Sequence, residues 1–178
     1  MFEKKILIIV DYQTDFVTGS LKVPGAAALE SGIAERVEKA YADGDKVVFL
    51  KDTHPKSYLQ TREGRCLPVG HCIIGTEGHE LYGKVKALEN RHGSSTLDKL
   101  QFGCLDIPRL LRGEQIRPAE FVLAGLATEI CVISNALILK AQFREVPVKI
   151  ESALCAGLTP EGQEAALAVA RACQVEIV

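Results

Sequence analysis

Three residues of types that work together in nucleophilic catalysis lie far apart in this sequence: Asp11, Lys99 and Cys131. A cysteine thiolate is a strong nucleophile, and a nearby carboxylate can accept the thiol proton. A lysine ammonium beside them would stabilise the thiolate and the negative charge that develops on a substrate. These side chains therefore indicate covalent catalysis by Cys131, provided that the fold brings them together.

The sequence around each residue supports such a role but also allows an ordinary one. Cys131 lies in segment 125–132, whose pattern predicts a strand end, a tight turn and the first turn of a helix. Free amides at a helix N-terminus lower the pKa of a thiol and can bind an oxyanion. Asp11 follows an apolar run, so partial burial should raise the pKa of its carboxyl group. The structural alternatives are a core cysteine, a loop-capping aspartate, for which Asp15 is the better candidate, and a solvated surface lysine.

Three further residues have the chemistry of metal ligands. Asp52 and His54 are two positions apart, so they lie on one side of an extended segment, and His71 follows in a long loop. Two histidines and a carboxylate suit zinc, iron or manganese with positions left open for water. The alternative is that the histidines only hold the loop. His79 and His92 are predicted to be surface residues.

Apolar runs and helical patterns alternate along the chain, which predicts an α/β/α domain with a mostly parallel sheet of about six strands. The strands are predicted at residues 6–10, 46–51, 95–99, 121–126, 146–150 and 175–178. The helices are predicted at residues 27–41, 107–112, 128–143 and 160–173. Such sheets bind ligands at the carboxyl ends of their strands, where Asp11, Asp52, Lys99 and Cys131 all lie. Residues 1–178 are expected to form one domain, with a long functional loop at 53–78.

The composition excludes several classes of protein. The 178 residues are 47% apolar and carry 21 basic and 23 acidic side chains, so the basic excess of a nucleic-acid-binding protein is missing. No apolar stretch is long enough for a signal-peptide core or a membrane span. The six cysteines form no CxxC pair, which favours reduced thiols in a cytoplasmic protein. The glycine motifs of dinucleotide-binding and P-loop proteins and the GxSxG motif are also missing.

Four segments, in this order along nearly the whole chain, resemble the isochorismatase-like cysteine hydrolases, and among them most closely the nicotinamidases. The opening Asp11-Tyr-Gln-Thr-Asp-Phe-Val-Thr-Gly-Ser-Leu resembles the family pattern D-x-Q-x-D-F-x-x-G-x-L. Lys99-Leu-Gln-Phe-Gly resembles K-x-x-F-[GS], and Gly125-Leu-Ala-Thr-Glu-Ile-Cys-Val resembles the nucleophile turn G-x-x-T-x-x-C-V. Asp52-Thr-His-Pro and Leu67-Pro-Val-Gly-His resemble the metal-binding segments of nicotinamidases.

The resemblance implies a three-layer hydrolase fold and a hydrolase of non-peptide C–N bonds that converts nicotinamide to nicotinate and ammonia through a thioester. It also implies a catalytic triad, a non-proline cis peptide whose neighbouring amides form the oxyanion hole, a divalent metal (zinc, iron or manganese), a small-molecule amide as substrate and a homo-oligomer. The implied residues are Asp11, Lys99 and Cys131 for the triad, Leu126, Ala127 and Cys131 for the cis peptide and oxyanion hole, Asp52, His54 and His71 for the metal, and Phe16, Gln13 and Leu67 for the substrate.

Differences from the nicotinamidase pattern leave alternatives open. Thr53 and Leu67 stand where those enzymes commonly carry tryptophan, and this chain has none. Another small amide, a ureide or a carbamoyl compound would use the same triad. Cleavage of a vinyl ether, as by isochorismatase itself, fits less well because it needs no cysteine. Two other classes are a non-catalytic binding domain and a redox sensor that pairs Cys131 with Cys104 or Cys155.

Overall fold

The chain folds around a six-stranded sheet in which all neighbouring strands are parallel, with the order β3-β2-β1-β4-β5-β6. The computed structural model describes residues 1–89, 91 and 94–178. The strands are β1 (Phe2–Val10), β2 (Lys46–Asp52), β3 (Ser94–Lys99), β4 (Ile116–Leu126), β5 (Val148–Ala156) and β6 (Glu176–Ile177). The predicted fold class, a mostly parallel sheet in an α/β/α domain, is confirmed.

Helices cover both faces of this sheet, as a continuous apolar strand requires. The α-helices are α1 (Thr14–Val17), α2 (Glu30–Ala42), α3 (Arg62–Cys66), α4 (Gly83–Lys86), α5 (Ile107–Gly113), α6 (Ile133–Gln142) and α7 (Pro160–Ala172). Alternate residues of β1 point to opposite faces: Ile8 packs with residues of α5, α6 and α7, and Ile9 with residues of α2 and α4. No helix in the described part of the chain is long and apolar enough to cross a membrane.

The strand order reverses between β1 and β4, and this places the candidate residues at one edge of the sheet. From β1 the chain adds β2 and β3 on one side and then crosses to β4 on the other. In open α/β sheets this crossing point leaves a crevice at the carboxyl ends of the strands. Asp11 follows β1, Asp52 ends β2, Lys99 ends β3, and the segment that follows β4 contains Cys131. The predicted convergence at this edge is therefore present.

The predicted loop at 53–78 contains short helical turns and folds over this edge of the sheet. It holds a 3-10 turn (Tyr58–Gln60) and α3, and a further 3-10 turn begins at its end (Glu77–His79). The prediction that His79 is a surface residue is wrong. Its ring is buried because the chain folds back next to Thr53, the residue that follows β2. The His79 Nε2 atom lies 2.8 Å from the Thr53 hydroxyl. His92 lies outside the described residues.

Candidate active site

Asp11, Lys99 and Cys131 meet in the interior at the carboxyl edge of the sheet. The Lys99 ammonium lies 2.7 Å from Asp11 Oδ2 and 3.5 Å from Cys131 Sγ. A third contact, at 3.1 Å, joins it to Asp52 Oδ1. All of these side chains are buried, and Asp11 is 0% exposed. The ammonium is therefore the shared partner of a buried carboxylate, a buried thiol and the first of the predicted metal ligands.

Asp11 is held in a form that can accept a proton near neutral pH. Burial raises the pKa of its carboxyl group to about 6, although the charge of Lys99 opposes this shift. Its oxygens contact the Lys99 ammonium, and the Cys131 thiol is close enough to lower the pKa of this carboxyl group further, though by less than Lys99 does. The backbone has a φ of 49°, a left-handed conformation that is uncommon for a residue other than glycine and that occurs at functional sites.

The turn that carries Cys131 depends on a close approach between β4 and β1. Gly125 has a φ of 122°, and a Cβ atom there would lie 2.1 Å from the carbonyl oxygen of Val10. The first turn after β4, Thr128–Val132, is a π-helical turn, whereas the sequence predicts a regular helix. The Val132 amide donates to the carbonyl of Ala127, five residues back. Such turns are frequent at functional sites.

Two predictions about this turn are wrong. The Leu126–Ala127 bond is trans, as are the other peptide bonds of the described residues. The pKa of the Cys131 thiol is raised well above its usual value rather than lowered, because burial and the charge of Asp11 outweigh the effect of Lys99. The thiol is therefore neutral until a base removes its proton.

The predicted metal ligands Asp52, His54 and His71 form one buried cluster whose ligand atoms lie within 4.8 Å of one another. Asp52 Oδ2 lies 2.9 Å from His54 Nε2 and 3.3 Å from His71 Nε2. His71 Nδ1 lies 2.8 Å from the carbonyl oxygen of Val69, which can accept a hydrogen bond only from a protonated Nδ1. In a neutral ring this leaves Nε2 unprotonated, with its lone pair towards the cluster. The donor set and its arrangement therefore fit a divalent cation.

A cavity of about 120 Å³ joins the thiol to this cluster. Its lining is mostly apolar, apart from the thiol, two carboxylates and one imidazole. The lining residues are Phe16, Leu21, Val23, Asp52, Glu63, Leu67, His71, Phe102, Ala127, Ile130, Cys131 and Leu158. A larger, more open depression at the amino end of the sheet, beside Pro108 and Phe143, contains no cysteine or histidine. The smaller cavity is therefore the place where the chemical groups can reach a ligand.

Comparison with known proteins places this arrangement in a family. A family model described as the isochorismatase domain matches residues 5–178. The chain belongs to the isochorismatase family. The isochorismatase family protein PncA of Bacillus subtilis (strain 168) is 34% identical over 145 residues, which cover 75% of this chain and 77% of that protein.

Two solved structures resemble this isochorismatase-family chain over nearly its full length. The nicotinamidase/pyrazinamidase PncA of Bacillus subtilis has a TM-score of 0.87 at 32% identity, covering 98% of this chain and 99% of that one. The pyrazinamidase of Pyrococcus horikoshii, in a complex with zinc, has a TM-score of 0.83 at 27% identity and covers 98% of each chain. The family resemblance predicted from the sequence motifs is thus confirmed.

Of the three predicted substrate-binding residues, two line the cavity and one does not. Phe16 and Leu67 line the cavity, and the Phe16 ring centroid lies 5.6 Å from that of His71. Gln13 is outside the cavity lining, and the prediction that it binds substrate is wrong. Its side-chain amide donates to the carbonyls of Asp52 and His79, and its Oε1 accepts from the Asp52 amide. These bonds use the polar atoms of Gln13 to join the end of β1 to β2.

Glu63 is a site residue that the sequence analysis missed. It lies at the start of α3, lines the cavity, and places Oε1 3.7 Å from His54 Nε2. An acidic residue inside a loop has no periodic signal, so nothing in the local sequence separates it from a solvated charge. Asp15, predicted as a cap, accepts hydrogen bonds from the Ser20 and Cys72 amides and so holds the backbone next to His71.

Proposed function

We propose that this isochorismatase-family hydrolase cleaves the C–N bond of a small, uncharged aromatic amide through a thioester on Cys131, with nicotinamide as the first candidate. One observation carries the proposal: the Lys99 ammonium contacts both the Asp11 carboxylate and the Cys131 thiol beside an apolar cavity. A buried ammonium shared between a base and a nucleophile lets a proton pass from thiol to carboxylate while the site keeps its net charge.

In the first half of the reaction, the Asp11 carboxylate accepts the Cys131 thiol proton, and Lys99 stabilises the thiolate. The sulfur attacks the amide carbonyl carbon and forms a C–S bond, which moves negative charge to the carbonyl oxygen. The amides of Ala127 and Cys131, at the turn that follows Leu126, are proposed to bind that oxygen. Asp11 then returns its proton to the amide nitrogen, the C–N bond breaks, and ammonia leaves.

In the second half, water replaces ammonia in the site. Asp11 accepts a proton from the water as its oxygen attacks the thioester carbon. The C–S bond breaks, Lys99 again stabilises the departing thiolate, and Cys131 recovers its proton from Asp11. The net reaction consumes one amide and one water and yields one carboxylic acid and one ammonia, so no redox partner is required.

The cavity favours an uncharged aromatic ring over a carbamoyl compound that carries a carboxylate. No arginine or lysine is among the described residues that line it, whereas Asp52 and Glu63 are. A carboxylate substrate would therefore meet like charges and no counter-charge. Phe16 and Leu67 provide apolar contact surface for a ring. A solved relative with 32% identity is described as a nicotinamidase/pyrazinamidase, which supports the same choice.

A divalent cation, zinc in the first instance, is proposed to be held by Asp52, His54 and His71, with Glu63 close enough to contribute through a small side-chain movement. The pyrazinamidase of Pyrococcus horikoshii was solved with zinc. When bound, such an ion would supply a Lewis acid that accepts a ring nitrogen or water as a ligand. Val69 supports this arrangement because its carbonyl oxygen orients the His71 ring.

The decisive experiment measures ammonia release from nicotinamide by the zinc-loaded protein and by two cysteine variants. Cys131→Ala should abolish release. Cys155→Ala, which also removes a buried thiol but from β5 and outside the cavity lining, should keep it. Benzamide and a carbamoyl amino acid serve as alternative substrates. Release from the carbamoyl compound alone would contradict the proposed substrate class, and release that survives Cys131→Ala would contradict the thioester.

We also propose that the protein is cytoplasmic and forms a homo-oligomer. The six cysteines are unpaired, which is compatible with the reducing cytoplasm expected from their spacing. A homo-oligomer is expected from the family resemblance. Light scattering coupled to size-exclusion chromatography would measure the mass in solution, and a mass equal to one 19.3 kDa chain would contradict that expectation.

A further inference from the structure

We infer that Asn135 is a positioning residue that sets the distance between the Lys99 segment and the Cys131 turn. This inference rests on the proposed function for its catalytic meaning but not for its geometry. Asn135 lies on α6 and is 0% exposed. Its Nδ2 donates to the carbonyls of Cys131, at 2.7 Å, and Phe102, at 3.1 Å, and its Oδ1 accepts from the Cys104 amide at 2.9 Å. One side chain thus holds both catalytic segments.

The topology of the sheet explains why such a bridge is needed. Lys99 ends β3 and Cys131 follows β4, and two strands, β2 and β1, lie between them in the sheet. Adjacent strands are about 4.8 Å apart, so no single ladder of hydrogen bonds relates β3 to β4 directly. Among the described residues, the only other hydrogen bond between segments 99–104 and 125–135 is the Lys99–Cys131 contact itself. Asn135 is therefore the fixed connection across this gap.

The chemistry of the position argues against a purely space-filling role. Ala136 and Leu139, on the same helix, are apolar and fully buried, and an apolar side chain at 135 would avoid the cost of burying an amide. Both polar atoms of the Asn135 amide are instead used, and each bond ends on a catalytic segment or on the cavity wall at Phe102. The same side chain therefore influences both the nucleophile and the space for the substrate.

Two substitutions at Asn135 separate its effect on the Cys131 turn from its effect on the segment that contains Phe102. Asn135→Ala removes all three hydrogen bonds. Asn135→Thr has a similar volume, and a threonine hydroxyl in a helix can donate to the carbonyl four residues back, which here is Cys131. It cannot also replace the bonds to Phe102 and Cys104. Leu139→Ala is the matched control because it damages the core one turn further along α6 without removing a bond to either segment.

The main readout is the rate at which iodoacetamide alkylates Cys131 at one fixed pH, measured on the Cys131 peptide by mass spectrometry. We expect Asn135→Ala to slow alkylation by about tenfold or more, Asn135→Thr to give an intermediate rate, and Leu139→Ala to match the original protein. With an amide substrate that the protein hydrolyses, KM should be higher in both Asn135 variants than in the original protein. The decrease in kcat should be larger in Asn135→Ala than in Asn135→Thr.

Several outcomes would overturn the inference. Equal slowing by Asn135→Ala and Leu139→Ala would make the effect a general loss of stability, and an unchanged rate in Asn135→Ala would leave no positioning role. If Asn135→Ala does not fold, Asn135→Thr decides, and an unchanged alkylation rate in that variant would refute the proposal. Alkylation requires no substrate turnover, so failure to hydrolyse nicotinamide leaves this test readable.

Discussion

Replacing Lys99 by methionine removes the cation that contacts both Asp11 and Cys131. The free-energy cost of this change can be estimated from the structure. The Lys99 ammonium is buried and lies 2.7 Å from Asp11, which is fully buried. Removing one partner of a buried ion pair costs about 3–5 kcal/mol, because the other charge remains without compensation. At 1.36 kcal/mol per factor of ten, this corresponds to about two to four powers of ten in an equilibrium constant.

Asp11 can avoid that cost by taking up a proton, and this gives the prediction its sign. In Lys99→Met, the pKa of Asp11 should rise further above 6, because burial continues to raise it and the opposing charge is gone. A neutral Asp11 cannot accept the thiol proton, and the thiolate has also lost its counter-charge. At pH 7 we therefore expect kcat/KM for ammonia release and the rate of Cys131 alkylation both to fall by at least about a hundredfold.

The effect on stability has its own pH dependence. A carboxyl group with a raised pKa in the folded state binds its proton more tightly there than in the unfolded chain. The free energy of unfolding of Lys99→Met should therefore be closest to the original value near pH 4 and fall progressively as the pH rises through the new pKa of Asp11. Urea unfolding at a series of pH values measures this directly.

Lys46→Met provides the matched control. Lys46 is also a buried lysine with an ion pair, at 2.7 Å to Glu114, but it lies at the amino end of β2, away from the site. The Lys46→Met variant should have a lower free energy of unfolding and an unchanged rate of Cys131 alkylation. The reasoning fails if Lys99→Met alkylates at the original rate, or if Lys46→Met slows alkylation as much.

Three other outcomes are expected. Because the pKa of Asp11 is raised to about 6, kcat/KM should decrease as the pH falls below about 6, and a pH–rate profile without that acid limb would exclude Asp11 as the base. His71→Ala should reduce bound zinc, measured by elemental analysis after dialysis, while circular dichroism stays unchanged; zinc content equal to the original would remove His71 from the ligand set. Gly125→Ala should lower the free energy of unfolding by about 1–3 kcal/mol or more, since its Cβ would meet Val10 at a φ of 122°, and unaltered urea unfolding would show that β4 can shift.

The sequence alone was sufficient to predict the parallel sheet and the three main candidate catalytic residues. Buried strands appear as aliphatic runs, such as residues 6–10, because burial on both faces leaves no place for polar side chains. Once the strands are parallel, the residues that follow them must share one edge of the sheet. That geometric rule brings Asp11, Lys99 and Cys131 together without any knowledge of side-chain packing.

Element boundaries depended on contacts that no local pattern contains. The sequence predicted the strand at 121–126, whereas β4 begins at Ile116. Residues 116–118 pair with the start of β1 although Arg117 is exposed and Pro118 is half-buried. The helix predicted from residue 128 begins instead with a π turn. Each difference arises where a long-range hydrogen bond or a close strand approach replaces the local preference.

Only the tertiary structure decided the environment and exact task of the polar residues. The same amide or carboxylate can bind a ligand, join two strands or remain in water, and which one occurs depends on where the chain returns. Gln13 joins β1 to β2, His79 is buried against Thr53, and Glu63 faces the cluster of Asp52, His54 and His71. The thiol pKa was likewise opposite to expectation, because desolvation is a property of the folded interior and not of the residues next to Cys131 in the chain.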